Sequence, residues 1–204
     1  MTLPIILASA SPARLQLLKQ IGIVPDQVLP ADIDETEFPG ELPNKLAERL
    51  SIEKAEAIAV KVECGIIIGS DTVPVVGRTP MRKAKNANDV RESLSLLSNR
   101  RHRLYSGVCV IEKKKDGSVR KMSRVVKSIL KFKKISDAEI EYYCKSGEGI
   151  GKAGGYSVGG YAGSFVAYMS GSFSNIVGLP LCETMNMLYS AGATPLQRGV
   201  KIDN

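Results

Sequence analysis

Gly65-Ile66-Ile67-Ile68-Gly69 runs without one polar side chain. A strand that is apolar on both alternating faces must be covered on both, which means helices packed over each side of a sheet. The run is too short to cross a membrane, and no window approaches 18 consecutive apolar residues, so a transmembrane helix is excluded. Ser70-Asp71-Thr72 follows it, with residues 73–76 read as a further extended piece.

The flanking segments supply the cover. Residues 4–8 form a short apolar run that ends in Ser9-Ala10-Ser11, after which Leu15, Leu17, Leu18 and Ile21 recur at helical spacing before Gly22. Pro12 suits a first helical turn, where its missing N–H would have had no partner. Residues 28–33 read as a second strand, 32–41 as an acidic loop and 43–62 as a long amphipathic helix. Downstream the pattern predicts a basic loop at 78–85, a helix at 87–97, long strands at 102–111 and 118–132, and a helix at 137–144 capped by Ser136. A glycine-rich loop at 147–163, a strand at 164–169 and a closing helix at 180–191 complete it. Helices alternating with strands, then two long adjacent strands, predict an α/β fold built on a mixed β-sheet. The chain reads as one domain over residues 1–192, with a frayed tail at 193–204.

Charge adds a test. The chain of 204 residues carries +7, yet residues 100–134 hold 13 basic and 2 acidic side chains, a local +11 that leaves −4 elsewhere. The basicity is one local feature, the wet face of a strand pair; the competing reading is a nucleic-acid-binding module on the 100–134 segment, with Lys127, Ile129, Lys131 and Lys133 sharing one side. The absence of Trp and the single aromatic, Phe132, in 118–134 argue against a stacking platform. His102 is the only histidine and the four cysteines form no CxxC pair, so a Cys/His zinc site and a Ser-His-Asp mechanism are both disfavoured. Scattered cysteines and an N-terminus without a basic leader fit a reducing cytoplasm.

Several residue groups can carry chemistry, each beside a plainer reading. Ser9, Ser11 and Arg14 open a helix after a strand, where free N–H groups meet phosphate, or Ser11 merely caps the helix. Asp71 follows the most apolar strand, where open α/β sheets place ligands, or begins a turn. The acidic loop with Glu35 offers oxygen ligands to a hard cation, or is solvated surface. Lys54, Lys83 and Lys152 are candidate phosphate-binding charges, and Lys152 lies within Gly151-Lys152-Ala153-Gly154-Gly155-Tyr156. Residues 172–180 read as structural, and His102 as structural or solvated.

In order along the chain, Leu7-Ala8-Ser9-Ala10-Ser11-Pro12-Ala13-Arg14, Asp34-Glu35, Lys54-Ala55, Ser70-Asp71-Thr72-Val73, Lys83-Ala84, His102, Ser106-Gly107-Val108, Gly147-Glu148, the glycine-rich segment 151–156 and Asn175-Ile176-Val177-Gly178-Leu179-Pro180-Leu181 resemble the Maf family of nucleotide pyrophosphatases. The resemblance spans roughly residues 3–191. It implies a cytoplasmic enzyme that hydrolyses ordinary or modified nucleoside triphosphates between the α and β phosphates. It also implies a divalent cation, Mg²⁺ or Mn²⁺, a homodimer, and an elongated mixed sheet in two lobes around a central cleft, of the inosine triphosphatase kind. By the same resemblance Asp71 is the proton acceptor and a metal ligand, and Glu35 lies at the metal. Ser9, Ser11, Arg14, Lys54, Thr72, Lys83 and Lys152 then bind substrate. A third reading is a nucleotide-binding regulator of cell division without catalysis, against which the retained Asp71 argues.

The chain also departs from the pattern. Ala13 stands where many members have the first of two arginines, Gly151 where many have Asp, and Ser98-Asn99-Arg100 where the family has Ser-Gly-Arg. Val158-Gly159-Gly160 replaces the Ile-Gln-Gly of the thymidine/uridine-preferring branch. A Gln amide can pair with a pyrimidine edge and Gly159 cannot, although Thr72 and Arg14 match that branch.

Overall fold

The computed structural model describes residues 2–193. Its centre is a seven-stranded mixed sheet. Strand β1 (Ile5–Leu7) lies between β2 (Gln27–Val28) and β3 (Gly65–Val76), parallel to both. Strand β3 then pairs antiparallel with β5 (Arg101–Lys113), β5 with β6 (Val119–Phe132) and β6 with β7 (Val166–Ser170); β4 (Thr79–Pro80) folds back on the end of β3. The three long strands, 12 to 14 residues each, run about 40 Å and tie the two ends of the molecule together.

Helices α1 (Pro12–Gln20) and α6 (Leu181–Ser190) cover one face of the parallel end, where Ile5, Leu7, Ile66 and Ile68 meet Leu17, Leu18 and Leu188. Helix α2 (Pro43–Ala59) covers the other, with Ile58 and Ala55 on Ile6 and Ile67. The apolar run is therefore buried from both sides, as its composition requires. A second core at the far end of β5 and β6 is closed by α3 (Ala87–Leu97) and α4 (Asp137–Ser146), with the edge-to-face rings of His102, Phe132, Tyr156 and Phe165 inside it. A one-turn 3₁₀ segment (Tyr161–Phe165) and the short helix α5 (Phe173–Val177) flank β7. The cleft lies between the two cores.

Several sequence expectations change. The strand read at 28–33 stops at Val28: Leu29 still donates to the Leu7 carbonyl, and the pairing goes no further. The pieces at 65–69 and 73–76 are one strand, so Asp71 is mid-strand, paired with Gly107. The position rule applies to β1 instead, because the parallel pairing ends at Leu7 opposite Ile68 and Asp71 lies just beyond it. Thr79 and Pro80 pair with β3 inside what reads as a loop. Of the two readings of His102 the structural one holds, because the imidazole is buried. Asn99 takes the left-handed conformation (φ 56°) that Gly would hold in the Ser-Gly-Arg turn, and Asn tolerates it better than most side chains. The tail from residue 194 onward lies outside the described residues, whereas Ala193 is buried.

Candidate active site

Alternation along β3 sets the site. Ile67, Gly69 and Asp71 face α2, while Ser70 and Thr72 face the opposite side. At Gly69 a Cβ would sit 2.3 Å from the Ser51 carbonyl, and at Gly107 on β5 it would sit 2.0 Å from that of Ala47. Both glycines are needed for the helix backbone to lie directly on the sheet, which places Lys54 beside Asp71. The Lys54 ammonium donates to Asp71 Oδ1 at 2.5 Å and pairs with Glu35 Oε1 at 2.7 Å, with the Lys54 and Asp71 side chains 8% and 10% exposed.

On the other face, the Gly178 carbonyl at the end of α5 accepts from Ser70 Oγ at 3.0 Å and from Arg14 Nε at 2.9 Å. Arg14 Nη1 donates to Ser9 Oγ at 3.0 Å, and Ser11 caps α1 through the Arg14 N–H. Ser9 and Ser11 thus frame the helix N-terminus, and Ser11 fulfils the plain capping role as well. Burial lowers the pKa of the Arg14 guanidinium, while nearby Asp71 and Glu35 favour its charge. Thr72 shares a 2.8 Å hydrogen bond with Ser106.

The remaining charges arrive on loops. Residues 82–84 bridge the glycine-rich segment: Ala84 N–H donates to Lys152 O, Gly151 N–H to Ala84 O and Gly154 N–H to Arg82 O. Lys83, held there, reaches Glu35 Oε2 from across the cleft. Partial burial works against ionisation of Glu35, but hydrogen bonds from Lys54 and Lys83 outweigh it and hold the carboxyl at about 2. Glu35 is therefore an anion at neutral pH.

All nine residues singled out from sequence line one cleft of about 390 Å³: Ser9, Ser11, Arg14, Glu35, Lys54, Asp71, Thr72, Lys83 and Lys152. Its volume is that of a small-molecule site. Pro74, Leu104, Tyr156, Val158 and Ile176 supply an apolar wall. Sequence reading missed the part played by residues 176–178, which line the cleft and anchor Arg14 rather than serving structure alone. A main-chain acceptor has no side-chain signature, so nothing in the sequence marks Gly178 O. Gly159 is exposed, and a Cβ there would meet no atom within 4 Å.

Among the described residues no group of three or more His, Cys, Asp and Glu could cage a metal ion. Glu35 and Asp71, however, converge on one lysine nitrogen. Two carboxylates are the protein share that Mg²⁺ commonly takes when phosphates and water complete its shell, so these residues fit such an ion.

The Lys54–Asp71 pair and the serine-lined helix start both lie within the region that matches a family model described as Maf-like protein, residues 4–191. The chain is 52% identical over 191 residues, 93% of its length and 88% of the relative's, to a Rickettsia africae protein named nucleoside triphosphate pyrophosphatase. A Rickettsia felis protein of the same name is 51% identical, with 93% and 94% covered. Among solved structures, the Ham1 protein of Staphylococcus aureus aligns with 62% of this chain and 71% of its own at 22% identity and a TM-score of 0.39. With a family model spanning nearly all the described residues and relatives above half identity, the chain belongs to the Maf-like protein family.

Proposed function

We propose that this chain is a nucleoside triphosphate pyrophosphatase, a hydrolase that releases nucleoside monophosphate and pyrophosphate. The observation that carries the reading is the convergence of four cations from four separate segments, Arg14, Lys54, Lys83 and Lys152, on a cleft that also holds Asp71. A triphosphate needs several positive charges around it. The relatives' shared name supports the same substrate class.

In this reading the α1 N-terminus, Ser9, Ser11 and Arg14 bind phosphate oxygens, and Lys83 and Lys152 close on them from the glycine-rich side. Lys54 orients the Asp71 carboxylate, which takes a proton from water as the water oxygen bonds to the α-phosphorus. The bridging oxygen leaves with pyrophosphate. Glu35 and Asp71 would hold a divalent cation, which when bound offsets the charge developing on the phosphates. The catalytic unit is the single domain over residues 1–192, working in the cytoplasm.

Incubation with a panel of ordinary and modified nucleoside triphosphates in Mg²⁺ or Mn²⁺, assaying pyrophosphate and orthophosphate separately, tests this. Monophosphate and pyrophosphate in equal amounts are expected. Diphosphate with orthophosphate would move the cleaved bond to β–γ, and no turnover of any triphosphate would favour a binding role.

A further inference from the structure

Glu35 lies on a loop without regular structure, yet it meets lysines from two different elements. Ile33 packs on the Leu46, Leu50 and Val73 cluster before Glu35, but apolar burial does not hold the segment after it, where Phe38 and Leu42 are 57% and 62% exposed. The hold comes from Arg49, five residues before Lys54 on α2. Its Nε and Nη2 grip Glu41 Oε1 and Oε2 at 2.8 and 2.7 Å, and Nη2 also donates to the Thr36 carbonyl, next to Glu35, at 2.9 Å. Nη1 reaches Glu53 Oε2 at 3.1 Å on α2 itself, and the guanidinium lies 4.0 Å from the centre of the Phe38 ring. Glu41 in turn accepts the Phe38 N–H, and Asp34 accepts from both the amide and the hydroxyl of Thr36.

Arg49 does not line the cleft. It fastens the loop at Thr36, Phe38 and Glu41 to the helix that carries Lys54, using the planar fork that only a guanidinium provides. We propose that Arg49 is a positioning residue for the reaction, acting through Glu35 by fixing the 36–41 segment so that the Glu35 carboxylate meets Lys54 and Lys83. This rests on the reading of Glu35 as a group that acts on the substrate or its cation.

The test is a double-mutant cycle of Arg49→Met with Glu35→Gln in the full chain, assayed with enough enzyme to read residual turnover. Arg49→Met lowers kcat about 10- to 100-fold, as a misplacement near 1 Å does. In the Glu35→Gln background the same change costs less than about threefold, because the group it positions is gone. Arg49→Lys, which keeps the charge without the fork, falls with Arg49→Met. Hydrogen exchange supplies a readout that activity does not: amides of residues 36–41 exchange faster in the variant while those of β5 do not. Glu41→Gln, which loosens the outer end of the clamp and leaves α2 intact, gives the same pattern in weaker form and covers the case of an unstable Arg49 variant. Equal losses in both backgrounds, or unchanged exchange at 36–41, would overturn the Arg49 role alone. Full activity of Glu35→Gln would overturn the reading of Glu35 and the inference with it.

Discussion

Two sets of four cations divide this molecule. Arg101, Arg103, Lys127 and Lys131 stand on one face of β5 and β6, cross-paired in register as Arg101 with Lys131 and Tyr105 with Lys127. Among the described residues none of the four has a carboxylate partner; Arg101 lies over the Tyr168 ring and Arg103 donates to the Gly77 carbonyl. Arg14, Lys54, Lys83 and Lys152 are far apart in sequence and line one cleft, where Lys54 and Lys83 carry carboxylates. Charge that is clustered along the chain is spread over water, and charge that is scattered along the chain converges on a site. Net charge points to the first set and chemistry to the second.

The sharpest break between the sets is Lys54→Met. It leaves Asp71 charged in a buried position, at an expected cost of about 3–5 kcal/mol in urea unfolding, and removes pyrophosphate release. A variant as stable and active as the parent would put Lys54 on a par with the sheet-face lysines. On the buried side of the same β5 strand, His102 gives the next largest effect. Its imidazole shares a 2.7 Å hydrogen bond with Tyr156, a cleft residue, and burial pushes its pKa down to about 4. The unfolded chain takes up this proton near pH 6.5 and the folded chain only near 4, so stability is full above 6.5 and falls by about 3 kcal/mol across that window. His102→Gln, in the only histidine, should flatten the slope between pH 6.5 and 4.5. An unchanged slope would contradict it.

Gly69→Ala probes the seating of α2 and should cost about 1–3 kcal/mol with a parallel loss of turnover, because the new methyl meets main chain. Smallest is the combined replacement of Arg101, Arg103, Lys127 and Lys131 by Gln. It should change stability by within about 0.5 kcal/mol per site and leave turnover unaltered. If it instead abolishes a steeply salt-dependent affinity of the parent for single-stranded or duplex nucleic acid, the sheet face is a binding surface after all.

The elements were legible where periodicity was strong. The helix at 87–97 has its sequence-read bounds, and Ser136 caps α4 with Glu139 completing a capping box. The nine residues singled out from sequence all line one cleft. What could not be read is what depends on contact between distant backbones. Gly69 and Gly107 look like strand glycines until α2 rests on them, and the Gly178 carbonyl shows nothing in its side chain. Arg49 looks like one more helix-surface arginine until the loop it grips is in place.

In the proposed reaction Asp71 takes the proton from the attacking water. Asp71→Asn keeps the shape and the Lys54 hydrogen bond within reach while removing the base. Pyrophosphate release by this variant should fall by a factor on the order of 10²–10⁴ while nucleotide binding, measured by titration of a non-hydrolysable triphosphate, and the unfolding midpoint stay close to those of the parent. Turnover equal to the parent's would contradict the account.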